Sequence, residues 1–312
     1  MSGALLQCGL KNDTGLPYTD FRHQAICTAT SHEETGLGID THGREHGERE
    51  RIAAAFVAAR RQARALPGFP GEIPANLVAA YRVQDLAIAQ WPERVVGWKV
   101  GYIAADRRDA SGDERLLGPI FASQLQPAGD AVEDPVFAGG FGAIEAEYVL
   151  RLDADAPAGK LDWTPEDTAL VPATLFIGVE IASSPLATIN QLGPRVVVSD
   201  FGNNNGLVLG AEIPGWRDLP EDALLAETFV DGASVGRGGA SSLPGGLLAA
   251  YAFALSRSAR RGRPLKAGEL VATGNATGIH DILPGQAGRV SFGAQGEIAG
   301  VAVAAAPLEP PA

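Results

Sequence analysis

Cysteine is almost missing from this chain. The two residues present, Cys8 and Cys27, both precede position 30, so disulfides cannot hold the main body and a reducing cytoplasm fits. Long apolar runs are missing too. The most apolar region, "LVPATLFIGVEIASSPLATI", carries two prolines and a glutamate, and nothing reaches the length of about 18 apolar residues that a membrane span needs. The opening "MSGALLQCGLKND" lacks a basic region ahead of an apolar core, so no secretion signal is expected. Positive charge is in short supply: 25 Lys and Arg face 37 Asp and Glu, a net charge of -12. A surface of that sign repels phosphate, which excludes nucleic acid as the main partner. Histidine is scarce in the body, because four of the five (His23, His32, His42 and His46) fall before residue 49 and leave His280 alone.

What remains is an ordinary globular composition, 46% hydrophobic and 20% charged, with 312 residues available for one or two domains. Residues 1–48 are polar and without sustained periodicity, and read as an irregular leader. Residues 49–95 read as a helical segment: one helix within "ERERIAAAFVAARRQARAL", ending before Pro67, and a second from Pro74 in "PANLVAAYRVQDLAIAQW", closing before Pro92. Residues 96–306 change texture, with short apolar runs separated by Gly, Pro, Asp and Asn clusters that predict strands, and one long helix in "LPGGLLAAYAFALSRSARRG". The tail, 307–312, is expected to fray. This order predicts an α+β fold rather than alternating β-α units.

Within "FGAIEAEYVL" a strand turns Glu145 and Glu147 to one face while Ile144, Ala146 and Tyr148 take the other. Two carboxylates about 7 Å apart on one buried face repel unless a cation lies between them. Glu180, in "FIGVEIA", is a third lone acid amid strand-forming apolar residues. Three carboxylates with no thiol or imidazole nearby make a hard oxygen set, which favours Mg²⁺ or Mn²⁺ over zinc. The competing reading is a solvated acidic strand face. Lys99, the single ammonium in "VVGWKVGYI", is either a snorkelling edge-strand lysine or a partner of that anionic site. In the second case it binds a substrate carboxylate, or transfers protons if burial depresses its pKa.

The order Gly-Trp-Lys-Val-Gly, Leu-Leu-Gly-Pro-Ile, Glu-Ala-Glu and Gly-Val-Glu-Ile resembles the fumarylacetoacetate hydrolase superfamily, and within it the 2-keto-4-pentenoate hydratase and 2-oxo acid decarboxylase branch. "SDFGNNNGLVLG" and "LPGGLLAAYAFALSRSARRGRPLKAGELVATGN" are similar to further elements of that branch, so the likeness runs from about residue 50 to 304. The resemblance implies a mixed β-roll, a metal held by Glu145, Glu147 and Glu180, and an active-site Lys99. It also implies substrate contacts among Asp200, Asn203, Thr273 and Asn275. The implied reaction is hydration of a short 2-hydroxy-dienoate or 2-oxo-enoate acid from aromatic catabolism, in a cytoplasmic homo-oligomer. Alternatives on the same scaffold are a 2-oxo acid decarboxylase, a C–C bond hydrolase, and a relative that binds a 2-oxo acid without turnover. The chain departs from the branch in three places: "GYIAAD" lacks the Thr-Ser usual after Lys-x-Gly, "GDERLLGP" offers only Asp113 and Glu114, and Asn275 stands where serine is usual.

Other motifs read as structural. "HGREH" at His42–His46 fits an inverted zinc-peptidase pattern but carries a glycine in a segment with no apolar periodicity. "GASVG" at 232–236 follows Asp231-Gly232, a hairpin signal, so Ser234 is expected beside a turn rather than on a nucleophile elbow. His280 and the pair Asp153 and Asp155 read as surface loop residues. "RRGR" at 260–263 reads as a basic helix end.

Overall fold

The computed structural model describes residues 41–130 and 132–308. In chain order these form helices α1 (Thr41–Arg61) and α2 (Leu77–Gln90), then strands β1 (Val95–Tyr102), β2 (Arg115–Phe121), β3 (Leu125–Pro127), β4 (Val132–Val136), β5 (Phe141–Leu152) and β6 (Ala173–Ser184). Two short helices follow, α3 (Ile189–Leu192) and α4 (Pro194–Ser199), and then β7 (Asn204–Glu212), β8 (Leu225–Val230) and β9 (Ala233–Gly239). Helix α5 (Gly246–Arg260) precedes β10 (Leu270–Ala272), β11 (His280–Asp281), β12 (Ala287–Ser291) and β13 (Glu297–Ala304). The strands make two mixed sheets. One has the order β2-β1-β10-β5-β6-β7-β3 with β11 paired to β5, and the other is β4-β13-β12-β8-β9. The strand-rich α+β fold expected from the sequence is the one observed.

The alternation of β5 decides where each side chain goes. Ile144, Ala146, Tyr148, Leu150 and Leu152 pack into the large core with Leu175, Ile177, Val179 and Ile181 of β6 and with Leu247, Tyr251 and Leu255 of α5. Burying each such large side chain contributes roughly 1.5–3 kcal/mol. The opposite face is thereby left to the glutamates. A second cluster joins Ile52 and Phe56 of α1, Val83 of α2 and Trp91 just past its end to Phe121, Ile189, Val196 and Phe201, so the helices lie over the segment between β6 and β7. Buried Gln84 reinforces this contact by donating from Nε2 to Leu117 O at 2.8 Å and Val198 O at 3.0 Å.

Several boundaries differ from the sequence reading. The leader lies outside the described residues through residue 40, but residues 41–48 open α1 instead of remaining irregular. Pairs at i,i+4, Arg49 with Glu45 at 2.7 Å and His46 with Glu50 at 3.2 Å, support that turn without an apolar stripe. "HGREH" therefore does gain a helix, with Glu45 and His46 turned to those neighbours. Helix α2 starts after Asn76, whose side chain accepts from Ala79 N, rather than at Pro74. The tail is docked at its start, where Leu308 N donates to Arg61 O at 2.8 Å, and residues 309–312 lie outside the described residues. The hairpin forms as expected: Asp231 (φ 49°) and Gly232 (φ 79°) join β8 to β9, the left-handed pair that a tight two-residue turn requires. Among the described residues no helix is long and apolar enough to cross a membrane.

Candidate active site

Antiparallel pairing of β5 with β6 sets Glu145 directly opposite Glu180, and Glu147 follows two residues along on the same face. One carboxylate oxygen from each of the three lies within 4.8 Å of the others, and all three side chains are buried. Lys99 reaches the cluster from β1, which neighbours β5 through β10, and its Nζ stands 3.3 Å from Glu180 Oε1. The structure thus brings together the three acids and the lysine that the sequence singled out.

Each carboxylate is held at one edge. Gly274 N donates to Glu147 Oε2 at 2.7 Å, Asn204 Nδ2 to Glu180 Oε1 at 3.0 Å, and the Asn275 side chain hydrogen-bonds Glu145. At the other edge Glu145 Oε1, Glu147 Oε1 and Glu180 Oε2 are buried without any partner. Orphaned buried oxygens on three adjacent acids are costly alone, and they are what a divalent cation with oxygen ligands would satisfy. Burial, with repulsion from Glu180, pushes the Glu145 carboxyl up to about 7 despite the opposing pull of Lys99 and Asn275. Burial drives Glu147 well above the ordinary range, helped by Glu180 and Glu145. Burial works against the Lys99 ammonium, but the carboxylates, Glu180 foremost, outweigh it and hold its pKa above the usual value. Of the two readings of Lys99, anion partner or proton carrier with a pKa depressed by burial, the direction of the shift favours the first.

A turn between α4 and β7 closes the site. Phe201 (φ 52°), Gly202 (φ 66°) and Asn203 (φ 56°) are all left-handed, a costly run that survives only where its surroundings enforce it. A Cβ on Gly202 would stand 2.6 Å from the Cα of Gly118 in β2, so the Gly of Leu-Leu-Gly-Pro and the Gly of Asp-Phe-Gly-Asn are both needed for backbone to meet backbone. Arg60 of α1 holds the turn. Its Nε donates to Asp200 Oδ1 at 2.5 Å, its Nη1 to Asn204 O at 2.8 Å, and its Nη2 to Ser183 O at 3.0 Å and Asp200 Oδ2 at 3.0 Å. Ser184 Oγ completes the network by donating to Asp200 Oδ2 at 2.6 Å.

Two of the expected substrate contacts fall away as a result. Asp200 is wholly buried and its carboxylate is occupied by Arg60, so it supports the turn instead of facing a ligand. Thr273, just past the end of β10, is buried as well, and its hydroxyl donates to Tyr148 O at 2.7 Å, extending the contact of β10 with β5. Asn203 and Asn275 do line the cleft, a cavity of about 210 Å³ that also exposes Lys99 and Glu145. Asn203 Nδ2 donates to Asn190 Oδ1 at 3.2 Å, while its own Oδ1 is buried and unpartnered. Neither acid of "GDERLLGP" reaches the cleft, because Asp113 pairs with Arg257 and Glu114 with Arg108. His280 pairs with Ile144 through β11 and its Nε2 meets Thr277 O at 3.0 Å. Sequence reasoning missed Asn204, Arg107, Asn190 and the apolar walls Ile103, Leu116 and Val197. Only Asn204 had a local signal, in the Asn run after Gly202.

No family model matches the chain. The 2-keto-4-pentenoate hydratase of Burkholderia vietnamiensis strain G4 is 31% identical over 185 residues, 58% of this chain and 68% of that relative. The chain belongs to the 2-keto-4-pentenoate hydratase family. The resemblance of the motifs to the 2-keto-4-pentenoate hydratase branch is borne out by that relative. The 2-keto-4-pentenoate hydratase of Paraburkholderia phymatum is 29% identical over 209 residues, 62% of this chain and 74% of the relative. In fold, the chain is similar to 4-oxalocrotonate decarboxylase from Pseudomonas putida G7 complexed with magnesium and adipate. The TM-score is 0.70 at 19% identity, over 84% of this chain and 98% of that one.

Proposed function

We propose that the protein is a divalent-metal-dependent hydro-lyase that adds water across the conjugated double bond of a short 2-hydroxy-dienoate or 2-oxo-enoate acid. The observation that carries this reading is the convergence of three buried carboxylates, each with an unpartnered oxygen, beside a buried ammonium at the floor of a small cleft. Glu145, Glu147 and Glu180 would hold the ion, and their all-oxygen character suits Mg²⁺ or Mn²⁺. When bound, such a cation supplies Lewis-acid stabilisation of negative charge developing on the substrate's C2 oxygen.

The chain's own residues do the rest. Lys99 offsets the negative charge of the three acids and, through Glu180, keeps the set compact. Gly274, Asn204 and Asn275 fix which edge of each carboxylate faces the cleft. Ile103, Leu116 and Val197 exclude bulk water from the carbon chain of the substrate, while the free Oδ1 of Asn203 accepts a hydrogen bond from a substrate hydroxyl or from the attacking water. Among the described residues no histidine lines this cleft, and of the three acids at its floor only Glu145 forms part of the lining, so proton delivery to carbon falls to the Tyr102 hydroxyl or to water held at the two asparagines. The same reading carries a cytoplasmic homo-oligomer, which light scattering on the purified protein tests.

The reaction is tested with purified protein and Mg²⁺ or Mn²⁺, offered 2-hydroxypenta-2,4-dienoate and 4-oxalocrotonate. Formation of a hydroxy-oxo acid without CO₂ is expected. CO₂ release would move the assignment to decarboxylation, which uses the same charge-stabilising site. Glu145→Gln and Glu147→Gln should each lose metal binding and turnover while keeping the folded circular-dichroism spectrum, and an active variant would remove the mechanism.

A further inference from the structure

The cleft is polar at its floor, apolar at its waist and cationic at its rim. Lys99 and Glu145 lie at the buried end, Ile103 and Leu116 form the walls, and Arg107 stands in the open, in the turn that follows β1. Arg107 is not a free surface arm. Its Nη1 donates to Asn190 O at 2.6 Å and its Nη2 to Gln191 O at 3.2 Å, so carbonyls of α3 fix the guanidinium plane beside the opening. No carboxylate pairs with it among the described residues, and its Nε and remaining Nη hydrogens have no partner there. The other cation lining the cleft, Lys99, is already engaged by Glu180.

These facts bear on what the far end of a ligand carries. The protein has a net charge of -12 and three acids at the cleft floor, so it repels a dianion unless some fixed cation meets the second charge. A planar guanidinium held by two hydrogen bonds presents a preorganised fork to a carboxylate. We propose that Arg107 forms a second anion subsite at the cleft rim, and that the protein selects 2-oxo acids bearing a terminal carboxylate over those with an apolar end. The inference rests on the proposed function only for the first anchor, the 2-oxo acid head at the cleft floor.

Two acids of equal length separate the outcomes: 2-oxoadipate and 2-oxohexanoate differ only at the terminal carboxylate. Their dissociation constants are measured by calorimetry on the full-length protein with Mn²⁺, for wild type, Arg107→Met and Arg107→Lys. The diacid should bind wild type at least ~10-fold tighter, the preference of one charge-assisted pair at a half-open site. Added salt should shrink that preference, Arg107→Met should erase it while leaving 2-oxohexanoate unchanged, and Arg107→Lys should keep part of it. Equal affinities in wild type, a preference that survives Arg107→Met, or no binding of either acid would overturn the subsite. Hydration is followed separately on 2-hydroxypenta-2,4-dienoate, so its failure would overturn the reaction assignment while the binding comparison still judges Arg107.

Discussion

Lys99 Nζ lies 3.3 Å from Glu180 Oε1, and both side chains are almost sealed from solvent. An ammonium in that position repels an incoming divalent cation even as it makes the three acids tolerable. Lys99→Met should therefore bind Mn²⁺ as tightly as wild type or more so, while turnover falls by about 100-fold or more because charge in the occupied site is no longer balanced. Electron paramagnetic resonance of free Mn²⁺ together with steady-state kinetics reads both quantities. A variant with normal turnover would remove Lys99 from the reaction.

Acid pH should oppose metal binding. Burial pushes Glu145 up to about 7 and Glu147 well above its ordinary range, so the cation displaces protons when it binds. The folded pKa of Glu145 lies above its unfolded value near 4.5, so its contribution to the metal-free fold is complete below that value and lost as pH rises through about 7. The Tm of metal-free protein should fall between pH 5 and 8, and the rise in Tm on adding Mg²⁺ should be larger at pH 8 than at pH 5. Scanning calorimetry with and without chelator measures this, and a metal effect independent of pH would contradict it.

Asp200 is expected to matter for folding and not for substrate affinity. Breaking a buried ion pair by removing one partner costs about 3–5 kcal/mol. Asp200→Asn and Arg60→Met should each show losses of that order in urea denaturation. Where Asp200→Asn remains folded at low temperature, its KM should stay near that of wild type. A rise in KM with intact stability would return Asp200 to the substrate site.

Asp134 supplies a control away from the cleft. It is buried against Gly288, Gly300 and Ile144, its Oδ1 has no partner, and burial raises its pKa to about 6. Its folded value exceeds the unfolded one, so its contribution is full below pH 4 and lost as pH rises through 6. Asp134→Asn should stabilise the protein at pH 8 by on the order of 1–3 kcal/mol and change little at pH 4. Denaturant titrations at the two pH values decide the matter.

The sequence showed the site's acids because a lone charge in a strand-forming run stands out, and because period-two alternation puts Glu145 and Glu147 on one face. It could not show that Glu145 would face Glu180, since register comes from pairing between distant strands. Asp200 and Thr273 were misread for a related reason: a local motif names the residue but not the direction of its side chain, which Arg60 and Tyr148 O determine here. Strand β2 escaped notice because Gly118 and Pro119 interrupt it, and a proline is tolerated there only because β2 is an edge strand. The first two turns of α1 rest on ion pairs with no apolar stripe, which hydrophobic periodicity does not detect. Arg107 had no signal at all, its role depending on α3 lying 83 positions further along the chain.

The guanidinium of Arg60 comes from the first helix, yet it grips the loop from which Asn203 and Asn204 project. The helical portion and the β-rich portion are consequently not interchangeable parts. Grafting the sheets alone onto another protein, or trimming the chain through position 60, would leave the turn that carries Asn203 without its clasp, so modular engineering of this protein has to carry α1 along.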